Sequence, residues 1–356
     1  MNISFLKAFN GDSILLSYQD SGGKPRNIVI DSGPSQTYQV KSKKGKIDYG
    51  EFYDLVTAIK DAEHFIDLLI LTHVDDDHID GVLTWIKNDP SAHELVGKVW
   101  FNSGKIISDH LKMAENPELE IPLFVSTDYN TSIAQGVTFN KWLNKNNLSD
   151  GTPIYAGLTM TLPDLKFEFL SPDSKKLERF LKDWKKKDPN FETSKEYADY
   201  SQTLAECLAS DEFEEDNRAA NGSSLAFILT YNDTDKYLFL GDSHPTVVLE
   251  QLAVMGFNEK TPLPVKLVKI SHHGSKKNTS KELLRVIDTN KYVISAHGLD
   301  HGHPDKVLLA RIINHNPKCM IYFNYPDLIN RIFTKQDYQD FTAFRTFDAK
   351  DINKDE

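Results

Sequence analysis

Leu68-Leu69-Ile70-Leu71-Thr72-His73-Val74-Asp75-Asp76-Asp77-His78-Ile79-Asp80-Gly81 carries the densest chemistry of the chain. Its apolar start, with Ile66 before it, suits a strand buried on both faces. The apolar run stops at Thr72, and His73, Asp75, Asp77 and His78 then crowd together. Successive residues of a straight strand point to opposite faces, so these four cannot all face one way on a strand. On a turn leading into a helix they can. Imidazoles and carboxylates together suit Zn²⁺, Mn²⁺ or Fe ions. A merely polar loop is a poor account of three aspartates held between two histidines at a strand's end.

Three more strand signals end the same way. Tyr237-Leu238-Phe239-Leu240 runs into Gly241-Asp242-Ser243-His244. Taken alone, Gly-Asp after a strand is as often a plain turn. Val268-Lys269-Ile270 runs into Ser271-His272-His273-Gly274-Ser275, with Lys276, Lys277, Asn278, Thr279 and Ser280 behind it. Adjacent residues on a strand face opposite sides, so one of His272 and His273 can take a metal while the other meets substrate or a carboxylate. A strand at 291–295 leads to Ala296-His297-Gly298-Leu299-Asp300-His301-Gly302-His303-Pro304. Ligands of α/β proteins gather outside the carboxyl ends of strands, and histidines 73, 78, 244, 272, 273, 297, 301 and 303 all fall there. The basic, hydroxyl-rich loop 276–280 suits a phosphate, and Thr279 or Ser280 can also cap the next helix.

Around these clusters, strands are expected at 3–6, 13–18 and 27–31, a polar basic loop at 34–50 with Lys41, Lys43, Lys44 and Lys46, and a helix at 51–64. Strands recur at 158–162, 167–170, 224–231, 236–240, 265–270, 291–295 and 320–323, with helical patterns between the later ones. Polar, helix-like inserts at about 105–150 and 173–220 are expected to cap the site. The acidic run 211–216 reads as a solvated face. One elaborated domain over 1–334 is expected, with a charged, peripheral tail at 335–356. That order of elements predicts a layered α/β architecture with two sheets covered by helices.

The chain has 356 residues and a net charge of −11, with 12 histidines and two cysteines. The acidic balance argues against a nucleic-acid coat protein, which needs basic surface to displace counterions. It leaves room for an enzyme that admits a phosphate to one metal-charged cleft. No apolar run reaches the ~18 residues of a membrane span, so no membrane partner is expected. Cys207 and Cys319 make neither a disulfide framework nor a Cys-based zinc site, and they fit a reducing cytosol. The apolar start at 3–16 is broken by Lys7, Asn10, Gly11 and Asp12 and has no basic region before it. A cytoplasmic protein is therefore expected.

His73-x-Asp75-x-Asp77-His78 resembles the His-x-His-x-Asp-His signature of the metallo-β-lactamase superfamily. Asn10-Gly11-Asp12-Ser13, Asp31-Ser32-Gly33, Asn221-Gly222-Ser223-Ser224, Gly241-Asp242, Ser271-His272-His273-Gly274-Ser275 and His303-Pro304 follow in the order seen in its ComEC-like branch, here as a stand-alone chain. The resemblance spans about residues 3–324, less the inserts. It implies a four-layer αββα sandwich with two divalent ions, Zn or Mn. His73, Asp75 and a bridging Asp242 would hold one. Asp77, His78, Asp242 and His272, or else His273, would hold the other. Asp75 stands where most of the superfamily has His, which favours a harder ion. The usual middle histidine has no evident counterpart, since neither His93 nor His110 sits in such a motif.

The resemblance further implies hydrolysis by a metal-bound hydroxide, with the ComEC-like pattern pointing to a phosphodiesterase or nuclease. Asp77 or Asp242 would orient the nucleophile. His303, and less so His301, would bind the phosphate or protonate the leaving group. His273, Lys276 and Lys277 would contact substrate. The implied substrate is single-stranded nucleic acid, a nucleic-acid end or a nucleotide. The alternatives are hydrolysis of a non-phosphate ester (a thiolester or lactone) and a catalytically weak metal-binding scaffold.

Overall fold

The computed structural model describes residues 1–113, 132–184, 198–299 and 302–354. The chain divides into two compact units, Met1–Tyr155 with Asp173–Glu192, and Ala156–Pro172 with Thr193–Glu356, where the sequence predicts one elaborated domain. Each unit is mixed α/β and has a main sheet of its own.

In the first unit the elements are β1 (Asn2–Phe5), β2 (Ile14–Gln19), β3 (Pro25–Ile30), β4 (Gln39–Lys41), β5 (Ile47–Tyr49), α1 (Glu51–Asp61), β6 (Leu68–Ile70), α2 (Asp76–Asn88), β7 (Val99–Trp100), α3 (Gly104–Leu111), α4 (Ser132–Asn146) and α5 (Ser174–Trp184). The main sheet has the order β1-β2-β3-β6-β7. The expected loop at 34–50 holds a small hairpin, β4 with β5. Strands β3, β6 and β7 run parallel, with Ile30 level with Ile70 and Ile70 level with Trp100. Parallel pairing at this register sets the carboxyl ends of all three side by side. Leu68, Leu69 and Ile70 are all buried, as a central strand requires. Helices α1 and α2 meet edge-to-face through Phe52 and Trp85, with ring centroids 6.0 Å apart.

In the second unit the elements are β8 (Thr159–Leu162), β9 (Leu165–Ser171), α6 (Leu204–Ala209), α7 (Ala219–Gly222), β10 (Ala226–Tyr231), β11 (Asp235–Phe239), α8 (Pro245–Val254), β12 (Leu263–Pro264), β13 (Leu267–Lys269), α9 (Lys281–Arg285), β14 (Ile287–Asp288), β15 (Lys291–Ile294), α10 (Lys306–His315), β16 (Met320–Phe323), α11 (Ile329–Ile332), α12 (Lys335–Asp340) and β17 (Arg345–Asp348). The main sheet runs β17-β16-β15-β13-β11-β10-β9-β8. From β11 to β17 every pairing is parallel, so β11, β13 and β15 also deliver their carboxyl ends to one edge.

The structure corrects two expectations. The insert placed at 173–220 is divided: α5 belongs to the first unit, whereas α6 belongs to the second and buries Leu204 and Cys207 in its core. Residues 335–354 are not a peripheral tail. β17 extends the main sheet of the second unit beside β16. The Asp337 carboxylate is buried and accepts from Lys306 Nζ (2.7 Å), Leu204 N (2.6 Å), Thr334 N (2.7 Å) and Thr334 Oγ1 (2.9 Å). A charge that looks solvated in the sequence is engaged in an internal ion pair. Among the described residues, no helix is long and apolar enough to cross a membrane.

Burial pushes the Asp337 carboxyl up, but Lys306 and its N–H partners hold it below the ordinary 3.8. A depressed carboxyl contributes stability that is present above its unfolded value and lost as pH falls through the folded one. Asp337→Asn strands a buried ammonium, so chemical denaturation at pH 7 should show a loss of about 3–5 kcal/mol. The variant should also lose less stability than wild type on acidification.

Candidate metal centre

In the first unit the site is built on Asp31, which follows β3 with φ +57° and is fully buried. Its carboxylate accepts from Thr72 N (2.8 Å), Thr72 Oγ1 (2.8 Å) and His78 Nδ1 (2.8 Å). The Thr72 hydroxyl has given its one proton to Asp31, so at 3.1 Å from His73 Nδ1 it can only accept. Both histidines therefore carry their proton on Nδ1 and keep Nε2 as the acceptor nitrogen. His73 Nε2 lies 3.7 Å from Asp75 Oδ2, His78 Nε2 lies 3.9 Å from Asp77 Oδ1, and the two rings sit 4.2 Å apart.

The backbone explains how these residues converge. Asp75 is the N-cap of α2, so Asp77 and His78 occupy its first turn. Ser32 N and Oγ both donate to the His78 carbonyl (2.8 and 2.9 Å), and Gly81 N donates to the Gly33 carbonyl (2.8 Å). The Asp31-Ser32-Gly33 segment thus straps the helix start. The turn before β2 approaches from another side: Asn10 Nδ2 donates to Asp77 Oδ2 (3.1 Å) and Asp12 N to the Asp77 carbonyl (3.2 Å). A Cβ at position 11 would collide with that carbonyl, which accounts for Gly11. Asp12, Asp31 and His78 each offer a donor atom within 4.8 Å of the others, so Asp12 adds one further carboxylate beside the histidine. Burial and the neighbouring Asp80, Asp75 and Asp77 push the Asp76 carboxyl up to about 6.

In the second unit the loop after β11 places Asp242, which is buried and whose N–H donates to Ser224 Oγ (3.0 Å). The loop after β13 does not continue as a strand. His272 (φ 47°) and His273 (φ 54°) are both left-handed. The expectation that they face opposite sides is thereby corrected: His272 Nε2 and His273 Nε2 lie 3.7 and 3.6 Å from the same Asp242 Oδ2. His273 Nδ1 lies 3.1 Å from the Ser295 carbonyl, and His272 Nδ1 lies 2.9 Å from Asn278 Oδ1. Each again keeps Nε2 as the acceptor nitrogen. Burial lowers the pKa of His272, favouring the neutral ring that binds metal.

His303 joins this group, its ring 5.2 Å from that of His272 and its Nδ1 3.3 Å from Asp305 Oδ2. Burial raises the Asp305 carboxyl, but the hydrogen bond and charge of His303 bring it below its ordinary value. Lys276 and Lys277 are half-buried beside the histidine turn. Asn278, Thr279 and Ser280 are buried, and Ser280 caps α9. His301 lies outside the described residues. His93 and His110 stand elsewhere, against the Pro90 carbonyl and the Tyr155 ring.

Two residues of the site have no role in the sequence reading. Asp31 is visible there only as a motif letter. Asp216 is hidden in the acidic run, which is solvated through its middle, at Glu212, Phe213 and Glu214, but engaged at both ends. Asp211 is buried against Arg311 and Lys281, and Asp216 is buried among Asn221, Asn278, His244 and His272.

No family model matches the chain, and no curated protein does. Among solved structures it is similar to CmlA, a diiron β-hydroxylase from Streptomyces venezuelae, at 13% identity over 98% of this chain and 53% of that one, TM-score 0.39. It is also similar to the metallo-β-lactamase fold protein YhfI from Bacillus subtilis, at 10% identity over 97% and 94% of the two chains, TM-score 0.40. A metallo-β-lactamase from Cronobacter sakazakii gives 10% identity over 88% and 89%, TM-score 0.34. The chain spans about half the length of CmlA. Likeness this distant transfers no chemistry to this chain.

Asp31→Asn keeps the volume but removes the charge that holds the His78 proton on Nδ1. Chelator competition should show Zn²⁺ or Mn²⁺ affinity falling by about 10–100-fold, the usual cost of losing such a partner. Far-UV circular dichroism should be unchanged.

Proposed function

We propose that this chain is a metal-dependent hydrolase of phosphodiesters, acting on single-stranded nucleic acid, nucleic-acid ends or nucleotides. The observation that carries the proposal is the common state of His73, His78, His272 and His273. Each has its Nδ1 on a protein acceptor, and each turns Nε2 toward a carboxylate. That donor set fits divalent ions of the Zn or Mn kind. His73, Asp75, Asp77, His78 and Asp242, with His272 or His273, would hold two of them. Bound there, such ions supply Lewis acidity toward a phosphoryl oxygen and lower the pKa of water.

The remaining work falls to the chain's own side chains. Asp77 or Asp242 would orient the attacking water. His303, backed by Asp305, would hand a proton to the leaving oxygen. His273 and His303 would touch the phosphate, and Lys276 and Lys277 would draw it in. The order of the strand-end motifs supports a metallo-β-lactamase superfamily hydrolase of the ComEC-like kind. The lysines beside the histidine turn support a phosphodiester over a neutral ester.

Turnover of bis-p-nitrophenyl phosphate by metal-loaded protein is the direct test, and Asp77→Ala should abolish it without unfolding the chain. Turnover of a thiolester or lactone alone would mark a non-phosphate hydrolase. Tight metal binding without any turnover would mark a scaffold. Replacing Lys276 and Lys277 by Ala should raise KM more than it lowers kcat, because these residues bind ground and transition states alike. On an acidic chain few phosphates are neutralised, so the slope of log affinity against log salt should have a magnitude of about 3 or less.

A further inference from the structure

Asp216 lies in a run, 211–216, that is buttressed against the loop carrying His272. Arg311, itself buried, binds Asp211 through Nε (3.0 and 2.9 Å) and donates through Nη1 to the carbonyls of Lys276 (2.5 Å) and Thr279 (2.9 Å). Asp216 N donates to the Lys277 carbonyl (3.1 Å), which pins the other end of the run to the same loop. The Asp216 carboxylate then accepts from Arg218 N (2.9 Å), Asn221 Nδ2 (2.7 Å) and Asn278 Nδ2 (3.1 Å), and His244 Nε2 lies 3.6 Å away.

The Asn278 amide has two ends of opposite character. One end faces Asp216 Oδ2 and the Asp242 carbonyl, 3.1 Å from each. Both are acceptors without a proton to give, so the NH₂ group must sit there. The Oδ1 end is thereby turned to His272 Nδ1 at 2.9 Å. An oxygen at that distance requires a proton on Nδ1, and a neutral ring with a proton there has none on Nε2. The orientation of this amide thus favours Nε2 as the nitrogen of His272 that can take a metal. The carboxylate that biases the amide lies 62 residues before it in sequence. In space the group is compact: Asp216 Oδ2 itself lies 3.7 Å from His272 Nδ1, a second acceptor on the side where the proton is required, and Asn221 Nδ2, which donates to Asp216, lies 3.5 Å from the same nitrogen.

We propose that Asp216 is a positioning residue which, by orienting Asn278 and by facing Nδ1 itself, sets His272 in the tautomer that offers Nε2 to a divalent ion. The tautomer is a property of the metal-free protein. It can therefore be tested whether or not the phosphodiesterase proposal, which gives it a purpose, survives. The ¹⁵N imidazole spectrum of metal-free wild type should show His272 protonated on Nδ1 and bare on Nε2. A proton on Nε2 would overturn the proposal at once. Asn278→Leu removes the accepting oxygen, and Asp216→Asn removes the charge that orients it. Both should bring in the Nε2–H form of His272 while leaving the His78 and His273 signals in place. Both should weaken Zn²⁺ binding by about 10–100-fold, the effect expected of an outer partner of a ligand. A His272 signal that shifts with Asn278→Leu but not with Asp216→Asn would show that Asp216 is structural only.

Discussion

The Asp31 carboxylate is the point on which the histidine cluster of the first unit turns. It is fully buried and accepts three hydrogen bonds, from Thr72 and His78. It leaves β3, takes the N–H and hydroxyl that follow β6, and holds the first-turn histidine of α2. A buried charge is costly unless it is satisfied, so its partners cannot drift independently. Parallel pairing of β3 with β6 brings Asp31 beside Thr72, and the Ser32 strap brings the helix to both. In the second unit the atoms that meet the two Nδ1 positions are neutral oxygens. There the Asn278 amide and the Ser295 carbonyl fix the two histidine rings that meet Asp242.

These constraints shape the chemistry. Imidazoles held in one tautomer would lose little freedom on taking an ion, so the arrangement is one prepared for a ligand. Carboxylates are unusually many around them: Asp12, Asp31, Asp75 and Asp77 in one unit, Asp216 and Asp242 in the other. Such a set suits an ion harder than the all-imidazole sites that Zn²⁺ often occupies. Asp75 in place of a histidine belongs to the same trend.

The places where apolar strands stop are legible in the sequence. His73, His78, Asp242, His272 and His273 stand out because each follows a run whose burial is written in its composition. The direction of the two adjacent histidines is not legible. It depends on two consecutive left-handed residues, and neither is a glycine that would signal the turn. Asp216 and Asp337 mislead for one reason: charged residues in polar stretches look solvated until a distant partner is found. Asn278 and Lys306, those partners, lie 62 and 31 residues away from them. The division into two units is also illegible, since no linker-like composition marks it.

Anomalous scattering from crystals grown with Mn²⁺ or Zn²⁺ tests the central claim most directly. Ions should be bound by Nε2 of His78 and by Nε2 of His272 or His273, with Asp242 among the ligands. Metal–donor distances should be about 2.0–2.6 Å. An ordered crystal with no ion at these atoms, or with His78 and Asp242 more than about 8 Å apart, beyond the reach of two ligands on ions at such distances, would contradict the metal centre.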